Sequence, residues 1–206
     1  MLEPVDLPVR CSCGALRGTA LRIAPDRVNR VVCHCRFCVG YARHLGAADR
    51  VLDEHGGSDV FQMAPADLVL TEGLDKLACM RLTKKGGLRW YASCCDTPIA
   101  TTLPKPGMPF MAVYPCCLDR SGSDEPIEAR LGRVRARVNH QLPREAARRL
   151  AGTRGALVLM LVRYLWMLLG WRLRGHHRPF PFFDPETRQP MRVPKLVDGL
   201  VDVTGS

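Results

Sequence analysis

At 206 residues, with 47% hydrophobic and 24% charged residues, the chain has the composition of an ordinary folded protein, which excludes global disorder. The length suits one domain with a substantial core, or a domain plus an extension. A net charge of +10 would in general point to an acidic partner, either nucleic acid or a membrane surface, but the excess is local. From Ala129 to Phe180 twelve arginines stand against a single acidic residue, Glu145, and all ten cysteines precede that stretch.

The N-terminal MLEPVDLPVRCSCG carries Glu3 and two prolines, and no apolar run as long as the central region of a signal peptide. Cysteines without an export signal are expected to be reduced, in a cytoplasmic setting, which favours metal binding or thiol chemistry over a disulfide framework. From Pro8 to about Leu118 the chain reads as short β-favouring segments divided by Gly, Pro and Asp: RGTALRI, NRVVC, SDVFQ, ADLVL, KLACMRL, GLRWYA, TPIATTL and PFMAVY. Their even spacing predicts a mainly β, antiparallel domain over residues 8–120, with one short helix at FCVGYARHLG. SGSDEP, residues 121–126, is the expected boundary, beyond which 121–206 forms an arginine-rich helical extension and a Pro/aromatic tail.

In the extension, PREAARRLAG reads as an arginine-rich helix, followed by GALVLMLVRYLWMLLGW, residues 155–171, apolar except for Arg163. A spanning helix needs roughly 20 apolar residues, and a central arginine costs about 2.5–3.5 kcal/mol on insertion, so the run is short and damaged as a span. Apolar around most of its circumference, such a helix packs on the domain or in a dimer, lies at a membrane interface, or crosses a membrane. The following RLRGHHR suits anionic headgroups, which leaves peripheral membrane contact through 155–178 open. Nucleic acid is disfavoured, because no aromatic residue interleaves the arginines before Tyr164 and Trp166. HHRPFPFFDPETRQP reads as an ordered, irregular tail.

Seven cysteines form three groups: Cys11 and Cys13; Cys33, Cys35 and Cys38; Cys94 and Cys95. Zinc favours four tetrahedral thiolates in a structural site and leaves one position open in a catalytic one, so seven thiols suggest two sites. In CHCRFC the first two cysteines project from an extended segment and the third returns from the first turn of a helix, so all three can face one ion. The helix start also favours thiolates. His34 lies between ligands and is expected to point away. A disulfide redox centre is the competing reading. Cys79 alternates with apolar neighbours and reads as core, while Cys116 and Cys117 have no assignment beyond a spare ligand.

CSCGALRG, VVCHCRFCVGYARHLG, VFQMAPADLVLTEG and LRWYASCCDTPIATTL, in that order from about Val9 to Leu118, resemble the glutathione-dependent formaldehyde-activating enzymes, a family that includes the centromere protein V relatives. The resemblance implies an Mss4-like zinc-binding β fold with one active-site zinc and one structural zinc. By position, Cys33, Cys35 and Cys38 match the ligands of the active-site zinc, and Cys11 and Cys13 match the first half of the structural site. The second half departs from the family's FCxxCGTPL: Cys95 falls on its second cysteine, but Ala92 falls on its first and Asp96 on its glycine. Cys94 is the candidate replacement, although adjacent cysteines reach one ion only with a distorted backbone.

The activity implied is that of a carbon-sulfur lyase of the S-(hydroxymethyl)glutathione synthase kind, joining a small thiol to a small aldehyde at Cys33, Cys35 and Cys38. Tyr41, Arg43 and His44 follow on the same helix as candidates to hold a carboxylate or relay a proton, the plainer reading being exposed helix residues. The alternative is a non-catalytic, zinc-stabilised binding module whose basic C-terminal extension associates with a membrane surface, a partner protein or nucleic acid.

Overall fold

Short segments of β-favouring residues in the N-terminal two thirds form strands, and the strands assemble into two sheets. A computed structural model of the chain describes residues 3–121, 125–138 and 154–197. The smaller sheet has the order β1-β2-β5, from Val5–Arg10, Arg17–Ile23 and Leu68–Glu72. β1 lies in a segment whose prolines hide it from a propensity reading. Its place at the sheet edge is where a strand tolerates the missing N–H of Pro8, which pairs with Thr19.

The larger sheet is built from β3 (Asn29–Cys33), β4 (Ser58–Gln62), β6 (Leu77–Arg81), β7 (Leu88–Ala92), β8 (Thr97–Thr102), β9 (Met111–Val113), β10 (Ala136–Val138) and β11 (Lys195–Leu196). Its order is β10-β3-β4-β9-β8-β7-β6-β11. All the inner pairings are antiparallel, as expected. The two edges differ: β10 runs parallel to β3, and β11 runs parallel to β6. The region read as a helical extension therefore also supplies strands. The reason is that a sheet edge presents unpaired N–H and C=O groups. Here the Arg135 N–H donates to the Arg30 carbonyl at 2.9 Å, the His34 N–H to the Val138 carbonyl at 2.9 Å, and the Val197 N–H to the Arg81 carbonyl at 2.9 Å.

Trp90 of β7 sits at the centre of the core, fully buried, with its indole N–H donating to Thr102 Oγ1 at 3.0 Å. The irregular PFPFF stretch comes back to it. Phe182 stacks on Trp90 with ring centroids 4.7 Å apart, and Phe183 meets it edge-on at 6.3 Å. Burying each phenylalanine contributes about 2–3 kcal/mol, which is what holds this irregular segment against the sheet.

Four helices flank the sheets among the described residues: α1 (Arg36–His44), α2 (Ala48–Val51), α3 (Ile127–Leu131) and α4 (Arg154–Leu173). The arginine-rich helix expected at PREAARRLAG lies outside the described residues. Met160, Tyr164 and Trp171 form the inner face of α4, and Tyr164 packs edge-on against Phe110 and Trp171, each at 6.3 Å. Among the described residues no helix is long and apolar enough to cross a membrane. Arg163 does not face outward. Its guanidinium donates to the carbonyls of Asp26 at 2.7 Å and Val28 at 3.2 Å, bonds that keep its charge satisfied against the domain.

Candidate metal centres

Two turns facing each other make the first cluster. CSCG leaves β1 in a tight turn closed by the Gly14 N–H on the Cys11 carbonyl at 2.8 Å. Gly14 takes φ +78°, where a Cβ would strain the backbone. The opposing turn, between β7 and β8, carries Cys94 and Cys95, and the Cys95 N–H donates to the Ala92 carbonyl at 3.3 Å. Ser12 fastens the two turns together: its N–H lies 3.0 Å and its hydroxyl 2.8 Å from Thr97 Oγ1.

The four sulfurs of Cys11, Cys13, Cys94 and Cys95 lie within 4.8 Å of one another. Cys11 to Cys13 is 3.5 Å, Cys11 to Cys94 3.8 Å, Cys13 to Cys94 3.2 Å and Cys94 to Cys95 3.8 Å. Sulfurs at about 2.3 Å from a tetrahedral ion stand about 3.8 Å apart, so this donor set fits a soft four-coordinate ion such as zinc. Both adjacent cysteines reach the cluster. Asp96, the next residue of the turn, is left-handed at φ +50°. Ala92 stays in β7, fully buried in the core.

The electrostatics divide the two neighbours. Burial opposes the Cys95 thiolate, but hydrogen bonds from Ser12, Thr97 and the backbone at Cys13 outweigh it and bring the thiol down to about 5. Cys94 is pushed upward by desolvation and by the thiols of Cys13, Cys95 and Cys11.

The second cluster follows from a strand running into a helix. Cys33 ends β3, Cys35 caps α1, and Cys38 lies in its first turn, donating its N–H to Cys35 Sγ at 3.3 Å. The three sulfurs lie within 4.8 Å of one another, with Cys33 buried and the other two partly so. Among the described residues no fourth His, Cys, Asp or Glu joins them.

What faces them instead is Arg89 of β7, a residue the strand reading of GLRWYA passed over. Its Nη1 and Nη2 each lie 3.6 Å from Cys38 Sγ. Nη1 also donates to Thr101 Oγ1 at 2.8 Å and to the Tyr114 hydroxyl at 3.4 Å, and the guanidinium sits 5.7 Å from the centre of the Tyr41 ring. The available signal was a charge between Leu88 and Trp90 in a strand covered on both faces, since a buried charge requires a partner. The Cys33 and Cys35 thiols, together with burial, push Cys38 well above its ordinary value, while Arg89 pulls the other way.

Other candidates fall outside both clusters. His34 is buried against Gly57, where a Cβ would come within 2.6 Å of its ring. Tyr41 is not exposed: it is fully buried and donates its hydroxyl to the Trp90 carbonyl at 2.9 Å, while Arg43 and His44 lie at the surface. Cys79 is core, with burial pushing its thiol up to about 12. Cys116 and Cys117 point toward the carbonyls of Pro98 and Ile99 and join neither cluster.

No curated protein matches the chain. The model of a family of unknown function, DUF6151, matches residues 4–188. That match covers both cysteine clusters, α4 and the phenylalanines on Trp90, and the chain therefore belongs to the DUF6151 family.

Proposed function

We propose that the protein is a zinc-dependent enzyme that joins a small thiol, of the glutathione kind, to a small aldehyde such as formaldehyde. In this reading Cys11, Cys13, Cys94 and Cys95 hold a structural ion, and Cys33, Cys35 and Cys38 hold the one at the active site. The observation that carries it is the contrast between the clusters. One offers four sulfurs and is closed, while the other offers three sulfurs and a guanidinium, which leaves a coordination position for substrate. The similarity to the formaldehyde-activating enzymes points the same way.

Bound at the three-cysteine cluster, zinc would supply the positive charge that lets a substrate thiol ionise near neutral pH. The protein's own groups do the rest. Three thiolates and a divalent ion leave one negative charge, which Arg89 offsets from 3.6 Å away, so the buried site is not left with an uncompensated charge. Thr101 and Tyr114 hold the guanidinium in place. The reaction forms one S–C bond as the carbonyl π bond opens, and the thiol proton ends on the former carbonyl oxygen. No electrons are exchanged with a third party, and the product is an S-hydroxymethyl thiol.

The test is to measure adduct formation between glutathione and formaldehyde with zinc-loaded protein. The proposal expects a rate above the uncatalysed one that is lost in Cys38→Ser. A rate equal to the uncatalysed value refutes it, and favours the non-catalytic binding module.

A further inference from the structure

The solvent-facing side of α4 has the chemistry of an interior. Around the helix, Val158, Val162, Leu165, Trp166, Leu169 and Leu173 fall on the arc opposite Met160, Tyr164 and Trp171, and all six are exposed, Leu165 to 63% and Trp166 to 68%. Single exposed apolar side chains are ordinary, but a contiguous strip of them marks a contact surface. No charge interrupts it. Arg163, the only charged residue between Gly155 and Trp171, is turned inward onto the carbonyls of Pro25, Asp26 and Val28.

Charge decides what the strip meets. From Ala146 to Phe183 the sequence has no acidic residue, and Arg172, Arg174, His176, His177 and Arg178 lie at the C-terminal end of the strip and just beyond it. A second copy of the helix would bring the same positive charge and nothing to offset it, whereas an anionic surface complements it. Beside the strip, between α4 and the loop at Asp26 and Arg27, lies a groove of about 560 Å³ of mixed charge, lined by Trp166, Arg174 and His176 on one side and by Asp26 and Asp67 on the other. An exposed tryptophan flanked by arginines at the edge of an apolar face is the arrangement that sits at a lipid headgroup boundary.

We propose that α4 lies flat on an anionic phospholipid surface, its outward face among the acyl chains and the basic residues at its C-terminal end against the lipid phosphates. A span is not involved, because the inner face of the helix is packed on the domain. This docking is independent of catalysis at the cysteine cluster, and would bring that cluster to the membrane whether or not it turns over a substrate.

The experiment is flotation of the full-length, metal-replete protein with phosphatidylcholine vesicles, with and without phosphatidylserine. Binding should be about tenfold or more stronger to the anionic vesicles and should weaken as salt is raised. The double substitution Leu165→Glu and Leu169→Glu should lower it about tenfold or more while leaving the metal content and the thermal midpoint unchanged. Equal binding by the double variant overturns the proposal, as does failure of the wild-type protein to float with either vesicle. So does a dimer in solution that the double variant dissociates without any vesicle binding, which would assign the strip to a second copy. Should the double variant not fold, the wild-type comparison decides alone: equal partition to both vesicles, insensitive to salt, refutes the anionic surface.

Discussion

Replacing Arg89 with glutamine removes the cation that faces Cys38 while keeping a polar side chain of similar reach toward Thr101 and Tyr114. The guanidinium nitrogens stand 3.6 Å from Cys38 Sγ. At an effective dielectric of about 20, unit charges about 4–5 Å apart interact by about 3–4 kcal/mol. Water entry and side-chain relaxation recover part of that, so a net loss of about 1.5–3 kcal/mol is expected, or about ten- to a hundredfold in affinity for a divalent ion. The four-cysteine cluster has no such dependence on Arg89. Titrating zinc out of the protein with a competing chelator should therefore give two affinities, of which only one moves in Arg89→Gln. Thr101→Val controls for loss of the hydrogen bond alone and should change metal affinity far less. If Arg89→Gln releases both ions at wild-type chelator concentrations, Arg89 is not the counter-charge of the three-cysteine cluster and the argument from charge balance fails.

Metal analysis of Cys38→Ser should fall from two ions per chain to one, whereas a disulfide redox centre at CHCRFC predicts no loss of metal. Cys94→Ser should cost the other ion or sharply weaken it; retention at full affinity would mean that the Cys94 sulfur is a bystander. Phe182→Ala removes the ring stacked on Trp90 and should destabilise the fold by about 3–5 kcal/mol in chemical denaturation, and a change under about 1 kcal/mol would show that the tail is not part of the core. For acid stability the relevant group is Asp53: burial raises its pKa, but the Arg137 guanidinium and the N–H groups of Gly57 and His55 outweigh it and hold it below the usual carboxylate range. A depressed folded pKa contributes stability that is present above the unfolded value, about 4, and is lost as pH falls through the folded value. The stability gap between wild type and Asp53→Asn should therefore close on acidification, and a constant gap would exclude this linkage.

The strands RGTALRI, NRVVC and SDVFQ coincide with β2, β3 and β4 because their β-favouring composition is local and the turns around them carry Gly, Pro or Asp. CHCRFC was legible for the same reason: its geometry is set by six consecutive residues. What was hidden depends on distant partners. β10 and β11 are too short to carry a pattern and exist because β3 and β6 offer open edges. The phenylalanines at 180, 182 and 183 read as an irregular tail because no periodicity announces that Trp90 is waiting for them. Adjacent cysteines are an unpromising pair of ligands by sequence, and only the facing of the CSCG turn and the β7–β8 turn shows both Cys94 and Cys95 at one cluster. Arg89 shows the limit most plainly, since a strand reading scores its neighbours and ignores the charge between them.

The stacking of Phe182 on Trp90 also dictates a timetable. Every cysteine of both clusters has left the ribosome well before Phe182 is added, an interval on the order of ten seconds at ordinary elongation rates. During that interval the sheet lacks its β11 edge strand and the lid over its central tryptophan. Seven thiols are then present on a nascent chain whose core is incomplete, and capturing ions at that stage would pin the β7–β8 turn and the start of α1 before the hydrophobic interior can close. The cysteine clusters are thus in a position to act as assembly pins during synthesis, ahead of any role in the finished protein.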